Sequence, residues 1–166
     1  YKRLAAYSSL GYSVQAFPSE PDPKIGTIFN QQSFLPVLSH DMEQATKEIL
    51  IFSPYLSKGR VNQMKRLFLT ALQQGEDVVV FTRPPESFSN ASRQKVVDII
   101  ADLKNSNVKV IVKEQIHQKF AIIDRRIVWY GSINLLSYGR SEESMMRFEN
   151  REIAEELLME VEKDIL

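Results

Sequence analysis

From Ile28 onward the apolar positions follow two alternating rhythms. Phe34, Leu35, Val37, Leu38, Met42 and Ala45 recur at helical spacing, and "EILIFSPYL" at 48–56 is a continuous apolar run, the mark of a buried strand, closed by Pro54. A second helical face follows in Val61, Met64, Leu67, Phe68, Ala71 and Leu72, with Ser57 placed to cap it and Gly75 to stop it. "DVVVFTRPP" is the next strand, ended by Pro84 and Pro85. A helix from about Ser92 to Lys104 is expected to bury Val96, Val97, Ile99, Ile100 and Leu103. "VKVIVKE" is a further strand, "KFAII" and "IVWYG" are two short strands joined by the "DRR" turn at 124–126, and "SMMRFEN" precedes a last helix carrying Ile153, Leu157, Leu158 and Val161. Strands alternating with helices predict an α/β fold, a mixed β-sheet flanked by helices on both faces.

Residues 1–27 interrupt this order. Pro18, Pro21, Pro23 and Gly26 lie among polar and isolated apolar positions, so 1–27 is expected to be a lead-in or linker and 28–166 the domain. The chain starts at Tyr1 rather than at a methionine, and the expectation is a piece of a longer polypeptide.

Composition narrows the setting. The 166 residues are 43% hydrophobic and 25% charged, which fits one globular domain and argues against disorder. There is no cysteine, so disulfides, thiol nucleophiles and cysteine-bound zinc are excluded. No apolar run reaches the ~18 residues of a membrane span, and no signal peptide opens the chain, so a cytoplasmic location without membrane contact is expected. Net charge is zero, yet residues 142–166 hold nine acidic and three basic side chains, which leaves the rest of the chain net positive. An acidic helix turned away from the site would leave a basic face for phosphates.

The chemistry concentrates in "IHQKFAIIDRRIVWYGSINLL" at 116–136, which holds one of only two histidines. His117 and Lys119 alternate in an extended stretch, so they share a face about 7 Å apart. An imidazole beside a fixed ammonium suits a phosphate: the amine neutralises oxygen charge while the ring nitrogen attacks phosphorus. Ser132 and Asn134, again two apart, can donate to the same phosphate once the turn folds their strand back, and Gly131 permits close backbone approach. Asp124, in the turn beside Arg125 and Arg126, fits a structural role, capping or pairing. His40, in "SHDME", has no partner spacing and is expected at the surface. No cofactor and no metal site are expected, because nothing brings the two histidines together.

The spacing His117-x-Lys119-x4-Asp124-x6-Gly131-Ser132-x-Asn134 resembles the HKD signature of the phospholipase D superfamily, including the Gly-Ser-x-Asn that accompanies it. The resemblance implies a phospholipase D-like fold and metal-independent phosphodiester cleavage through a phosphohistidine. It also implies that Glu149, in "RFEN", with Glu143 and Glu152 nearby in the sequence, accepts a hydrogen bond from the second nitrogen of His117. Family members use two such histidines, from two copies of the motif. This chain has one, so a homodimer with a composite site is expected. The segment "GSINLLSYGRSEESMMRFEN" also resembles members fused behind helicase or restriction-type ATPase modules, which implies a nuclease domain in DNA repair, restriction or defence.

For the substrate, "SPYLSKGR" offers Ser53, Tyr55, Lys58 and Arg60, and "FTRPP" offers Thr82 and Arg83. An aromatic among cations suits a base stacked beside a tracked backbone, so Tyr55, Lys58 and Arg83 are the expected substrate-binding residues and nucleic acid, DNA or RNA, the expected partner. Lys58 and Arg60 as mere decoration of an exposed helix side is the competing reading. Two other functions stay open: a non-catalytic nucleic-acid-binding or dimerisation module, and a phospholipase acting on a phospholipid headgroup.

Overall fold

The structure, a computed structural model, describes residues 27–139 and 142–163, with backbone alone at 162 and 163. The expected lead-in thus lies outside the described residues except for Thr27. In chain order the elements are β1 (Ile28–Asn30), α1 (Phe34–Glu43), β2 (Glu48–Phe52), α2 (Lys58–Gln73), β3 (Asp77–Thr82), α3 (Asn90–Asn105), β4 (Lys109–Val112), β5 (Lys119–Ile123), β6 (Ile127–Gly131), β7 (Ser144–Glu149) and α4 (Arg151–Lys163). A single 3-10 turn, Pro85–Ser87, leads into α3.

The strands form a seven-stranded sheet in the order β1-β7-β6-β5-β2-β3-β4. Strands β2, β3 and β4 run parallel, joined by helical crossovers, while β5, β6 and β7 form an antiparallel meander that meets the parallel half through β2 and β5. The sheet is therefore mixed. Strands β2 and β5 lie inside it and are apolar on both faces, as their sequences require.

Successive side chains point to opposite faces, and this splits the core in two. Ile49, Ile51, Val78, Val80, Ala121, Ile123 and Trp129 pack under α1, α2 and α3. Leu50, Phe52, Phe81, Phe120, Ile122 and Val128 pack on the other face, against Ala154, Leu158 and Val161 of α4. On that second face Phe52 lies between Phe81 and Phe120, with ring centroids 4.0 and 4.1 Å away. Burying each such ring contributes roughly 2–3 kcal/mol.

Local signals set the helix ends. The Ser57 hydroxyl accepts from the Arg60 N–H at 3.4 Å, capping α2, and Gly75 takes φ +85° just after it, where a side chain would be strained. Three expectations need correction. Strand β1 was not foreseen, because three residues carry no period and its partner β7 lies more than a hundred residues away. Val97 is 40% exposed, since the α3 stripe that meets the sheet is Val96, Ile99, Ile100 and Leu103. Arg60 is 5% exposed rather than surface decoration: its guanidinium carbon lies 5.2 Å from the Phe34 ring and 4.6 Å from the Tyr138 ring.

Candidate active site

Strand direction decides what meets at the end of the sheet. The C-termini of β2, β3 and β6 and the N-termini of β5 and β7 lie at one end, so Ser53–Tyr55, Thr82–Arg83, His117–Lys119, Gly131–Asn134 and Glu143–Ser144 gather there. In α/β sheets ligands bind beyond the carboxyl ends of the parallel strands, and this is such an end.

His117 stands two residues before β5, exposed, and its imidazole bonds to none of the described residues. Lys119 opens the strand, half-buried, and its Nζ donates to the His117 carbonyl at 3.1 Å, which ties the ammonium to the segment that carries the imidazole. Lys119 pairs with Gly131, so the two halves of the motif are level across the ladder. Ser132 is fastened to the start of β7. Its N–H donates to the Ser144 carbonyl at 2.9 Å, and its Oγ accepts from the Ser144 N–H at 3.0 Å. A Cβ at Gly131 would collide with the Ser144 carbonyl and the Met145 backbone, so glycine is what lets β7 approach this closely. Asn134 is half-buried with its Oδ1 shielded and unpaired, a polar atom that calls for a partner.

Around this core the loops are locked together. Ser53, fully buried, donates from Oγ to the Tyr55 carbonyl at 2.8 Å and accepts from the Leu136 N–H at 3.2 Å, while the Ser57 N–H donates to the Leu136 carbonyl at 2.8 Å. The loop bearing Tyr55 and the loop bearing Asn134 are thereby one unit. Ser53 and Thr82 are internal and do not face substrate; the Thr82 hydroxyl donates to the Pro54 carbonyl at 3.4 Å. The bracing role of Ser53 was missed from sequence, although a serine directly after four buried strand residues is the available signal.

Arg83 donates from Nη1 to the Tyr55 hydroxyl at 3.0 Å, and its guanidinium carbon lies 5.4 Å from both the Tyr55 and Phe88 rings. Lys58 is exposed at the first turn of α2. The three expected substrate-binding residues thus share the site end of the sheet. Phe88 joins them and was not foreseen.

Glu149 is not where it was expected. It closes β7 at the opposite end of the sheet, paired in register with Ile127, while Gly131 pairs with Met145; four residues separate those rows, roughly 13 Å. Its carboxylate accepts from Arg126 at 2.9 Å and from Arg147 at 3.2 Å. Glu143, just before β7, does lie at the site end, where it accepts from Gln31 Nε2 at 2.7 Å. The direction of β7 puts Glu143 and Glu149 at opposite ends of the sheet.

Asp124 also lies at the far end. With φ +54° in the β5–β6 turn, it accepts from the backbone N–H groups of Thr46 at 2.9 Å, Lys47 at 2.8 Å and Glu48 at 3.1 Å, holding the start of β2. Burial alone would push its carboxyl up, but these donors, with the Thr46 hydroxyl, outweigh that and hold it below the ordinary range. His40 is exposed on α1. Among the described residues no group of three or more His, Cys, Asp or Glu side chains is placed to hold a metal ion, and no helix is long and apolar enough to cross a membrane.

The model of the family described as "Cardiolipin synthase, PLD-like domain" matches residues 38–165. No curated protein matches the sequence. Among solved structures, the chain is similar to the phospholipase D family member Nuc from Salmonella typhimurium at a TM-score of 0.65 and 16% identity, covering 82% of this chain and 91% of that one. NucT from Helicobacter pylori is similar at a TM-score of 0.66 and 18% identity, covering 83% and 93%. TrmBL2, an archaeal chromatin protein described as showing a novel mode of DNA binding, is similar at a TM-score of 0.57 and 14% identity, covering 98% and 57%. At these identities the likeness is one of fold.

Proposed function

Because this chain belongs to the phospholipase D-like family, a family of phosphodiesterases and nucleases, we propose that it is a metal-independent nuclease whose nucleophile is His117. One observation carries the reading: His117, Lys119, Ser132 and Asn134 share one end of the sheet, with the imidazole exposed and bonded to none of the described residues. In the proposed reaction a ring nitrogen of His117 attacks phosphorus, and the N–P bond forms as the bond to the leaving oxygen breaks. That oxygen takes a proton from the imidazolium of a second His117, contributed by a second copy of the chain. Water then attacks phosphorus and gives its proton to the second imidazole. The N–P bond breaks, a phosphate monoester leaves, and both histidines return to their starting states. Lys119, Ser132 and Asn134 stabilise the phosphoryl oxygens.

Nucleic acid is the proposed substrate, with Tyr55, Lys58 and Arg83 beside the site to receive it, and DNA repair, restriction or defence the proposed setting, as part of a larger protein. The fold neighbours Nuc and NucT carry nuclease-type names and TrmBL2 is described as binding DNA, which supports this choice.

The test is to incubate the chain with single- and double-stranded DNA, RNA, bis(p-nitrophenyl) phosphate and phospholipid vesicles, each with and without chelator, beside His117→Ala. Cleavage that survives chelation and vanishes in the variant is the expected result, together with acid-labile phosphate trapped on residue 117. Salt-sensitive binding with no cleavage of any substrate would replace the nuclease with a binding module.

A further inference from the structure

A cleft of about 1030 Å³ lies between α2 and α3 and opens at the site end of the sheet. It begins at Tyr55. Phe52 pairs with Phe120, so the segments bearing Tyr55 and His117 leave the same sheet end from neighbouring strands. Two rings wall the mouth: Tyr55, 44% exposed, and Phe88, with centroids 5.7 Å apart and planes at 84°. Val61, Val96 and Ile99 form an apolar floor. Lys58 on α2 and Lys95 on α3 stand on opposite walls, both exposed, and neither makes an ion pair with any described residue. Deeper in, Lys65 is held by Asp102 at 2.8 Å, and Asp98 and Asp102 turn the far end acidic.

We infer that this cleft is a subsite for a short single-stranded flank of a polynucleotide, with bases against Phe88 and Tyr55 and phosphates passing between Lys58 and Lys95. The inference rests on the phosphodiesterase reading for its direction, since the flank leads away from a phosphate at His117. Charge decides the occupant's class: the free cations rim the mouth, which suits a polyanion entering from the site. The rings decide its form. A base must leave its duplex stack to lie on an aromatic side chain, and stacking of this kind accepts any base. Charge also sets a length, because the paired Lys65 lies about 10 Å along α2 from Lys58, and the carboxylates beyond repel further phosphates.

The experiment uses the 166-residue chain and a fluorescein-labelled single-stranded DNA 12-mer, its duplex, and anionic phosphatidylglycerol vesicles. Lys95→Glu and Phe88→Ala are compared with Lys104→Glu, an exposed change on α3 that does not line the cleft, each checked for an unchanged thermal transition. Single-strand binding should weaken roughly tenfold in Phe88→Ala, and in Lys95→Glu it should weaken with a flatter salt dependence, by about 0.7 in log–log slope, while Lys104→Glu stays near wild type. Equal losses for duplex and single strand, no loss in either cleft variant, or vesicle binding that depends on Phe88 while oligonucleotide binding does not, each overturns the subsite. Hydrolysis of bis(p-nitrophenyl) phosphate, too small to span the cleft, is followed separately. Its absence in wild type sinks the catalytic reading, whereas the binding results alone judge the cleft.

Discussion

Arg147 on β7 and Asp41 on α1 meet through two hydrogen bonds of 2.7 Å each, one from Nε and one from Nη2, and Asp41 is 4% exposed. The same carboxylate accepts from the Trp129 indole at 2.8 Å, so one buried acid joins α1 to two strands of the meander. The hydrogen bonds that Arg147 donates to Asp41, with the charge of that carboxylate, push the guanidinium further above its ordinary value, against the opposing effect of burial. Removing one member of such a pair strands the other. Asp41→Ala is expected to cost about 3–5 kcal/mol in urea unfolding; a loss below ~1 kcal/mol would show that the network is dispensable.

The depressed Asp124 carboxyl predicts a pH dependence of stability. Its folded value lies below the unfolded one, so its contribution is complete above the unfolded value of about 3.9 and fades as pH falls through the folded value. Asn tolerates the left-handed turn and keeps one acceptor, so Asp124→Asn tests charge rather than shape. The variant should melt below wild type at pH 7, and the gap should close under acid. A gap that stays constant from neutral to pH 3 contradicts the assignment.

Glu149 sits at the wrong end of β7 to orient His117, and its carboxylate is engaged by Arg126 and Arg147. Glu149→Gln should therefore leave kcat/KM within about twofold of wild type and lower stability by well under 1 kcal/mol, as exposed pairs do. A tenfold fall in kcat with normal folding would restore it to the catalytic set.

The proposed composite site makes activity depend on pairing. If wild type is unfolded, mixed with an equal amount of His117→Ala and refolded, only about a quarter of dimers hold two histidines, and activity should fall to that fraction. Retention of half the activity would mean that each chain works alone. In the proposed reaction the two imidazoles differ in protonation, one neutral to attack and one charged to donate, so the rate should rise and fall with pH as a bell.

Much of this molecule could be read along the chain, for identifiable reasons. Strands β2, β3 and β5 are apolar runs too short for helices, and α2 carries both a cap and a stop. The motif was legible because its spacing resembles the HKD signature, although His117, Ser132 and Asn134 lie just outside the strands that the alternation predicted. What escaped depends on partners far away in sequence. Arg60 reads as a surface cation until Phe34 and Tyr138 close on it, and Asp41 looks like an ordinary helix acid until Trp129 and Arg147 arrive. Glu143 and Glu149 differ by six positions, and only the run of β7 tells which end each occupies.

Strand β1 closes one edge of the sheet. Its pairing with β7 joins positions more than a hundred residues apart, Asn30 lying against Ser144, and Ser144 in turn holds Ser132. A three-residue ladder at an edge, closed by so long a loop, is among the first to fray in native-state exchange. Loosening at this rim would reach the Ser132 hydroxyl through Ser144, whereas Lys119 opens β5, a strand flanked by β2 and β6, so the two sides of the proposed phosphate site are held by unequal supports.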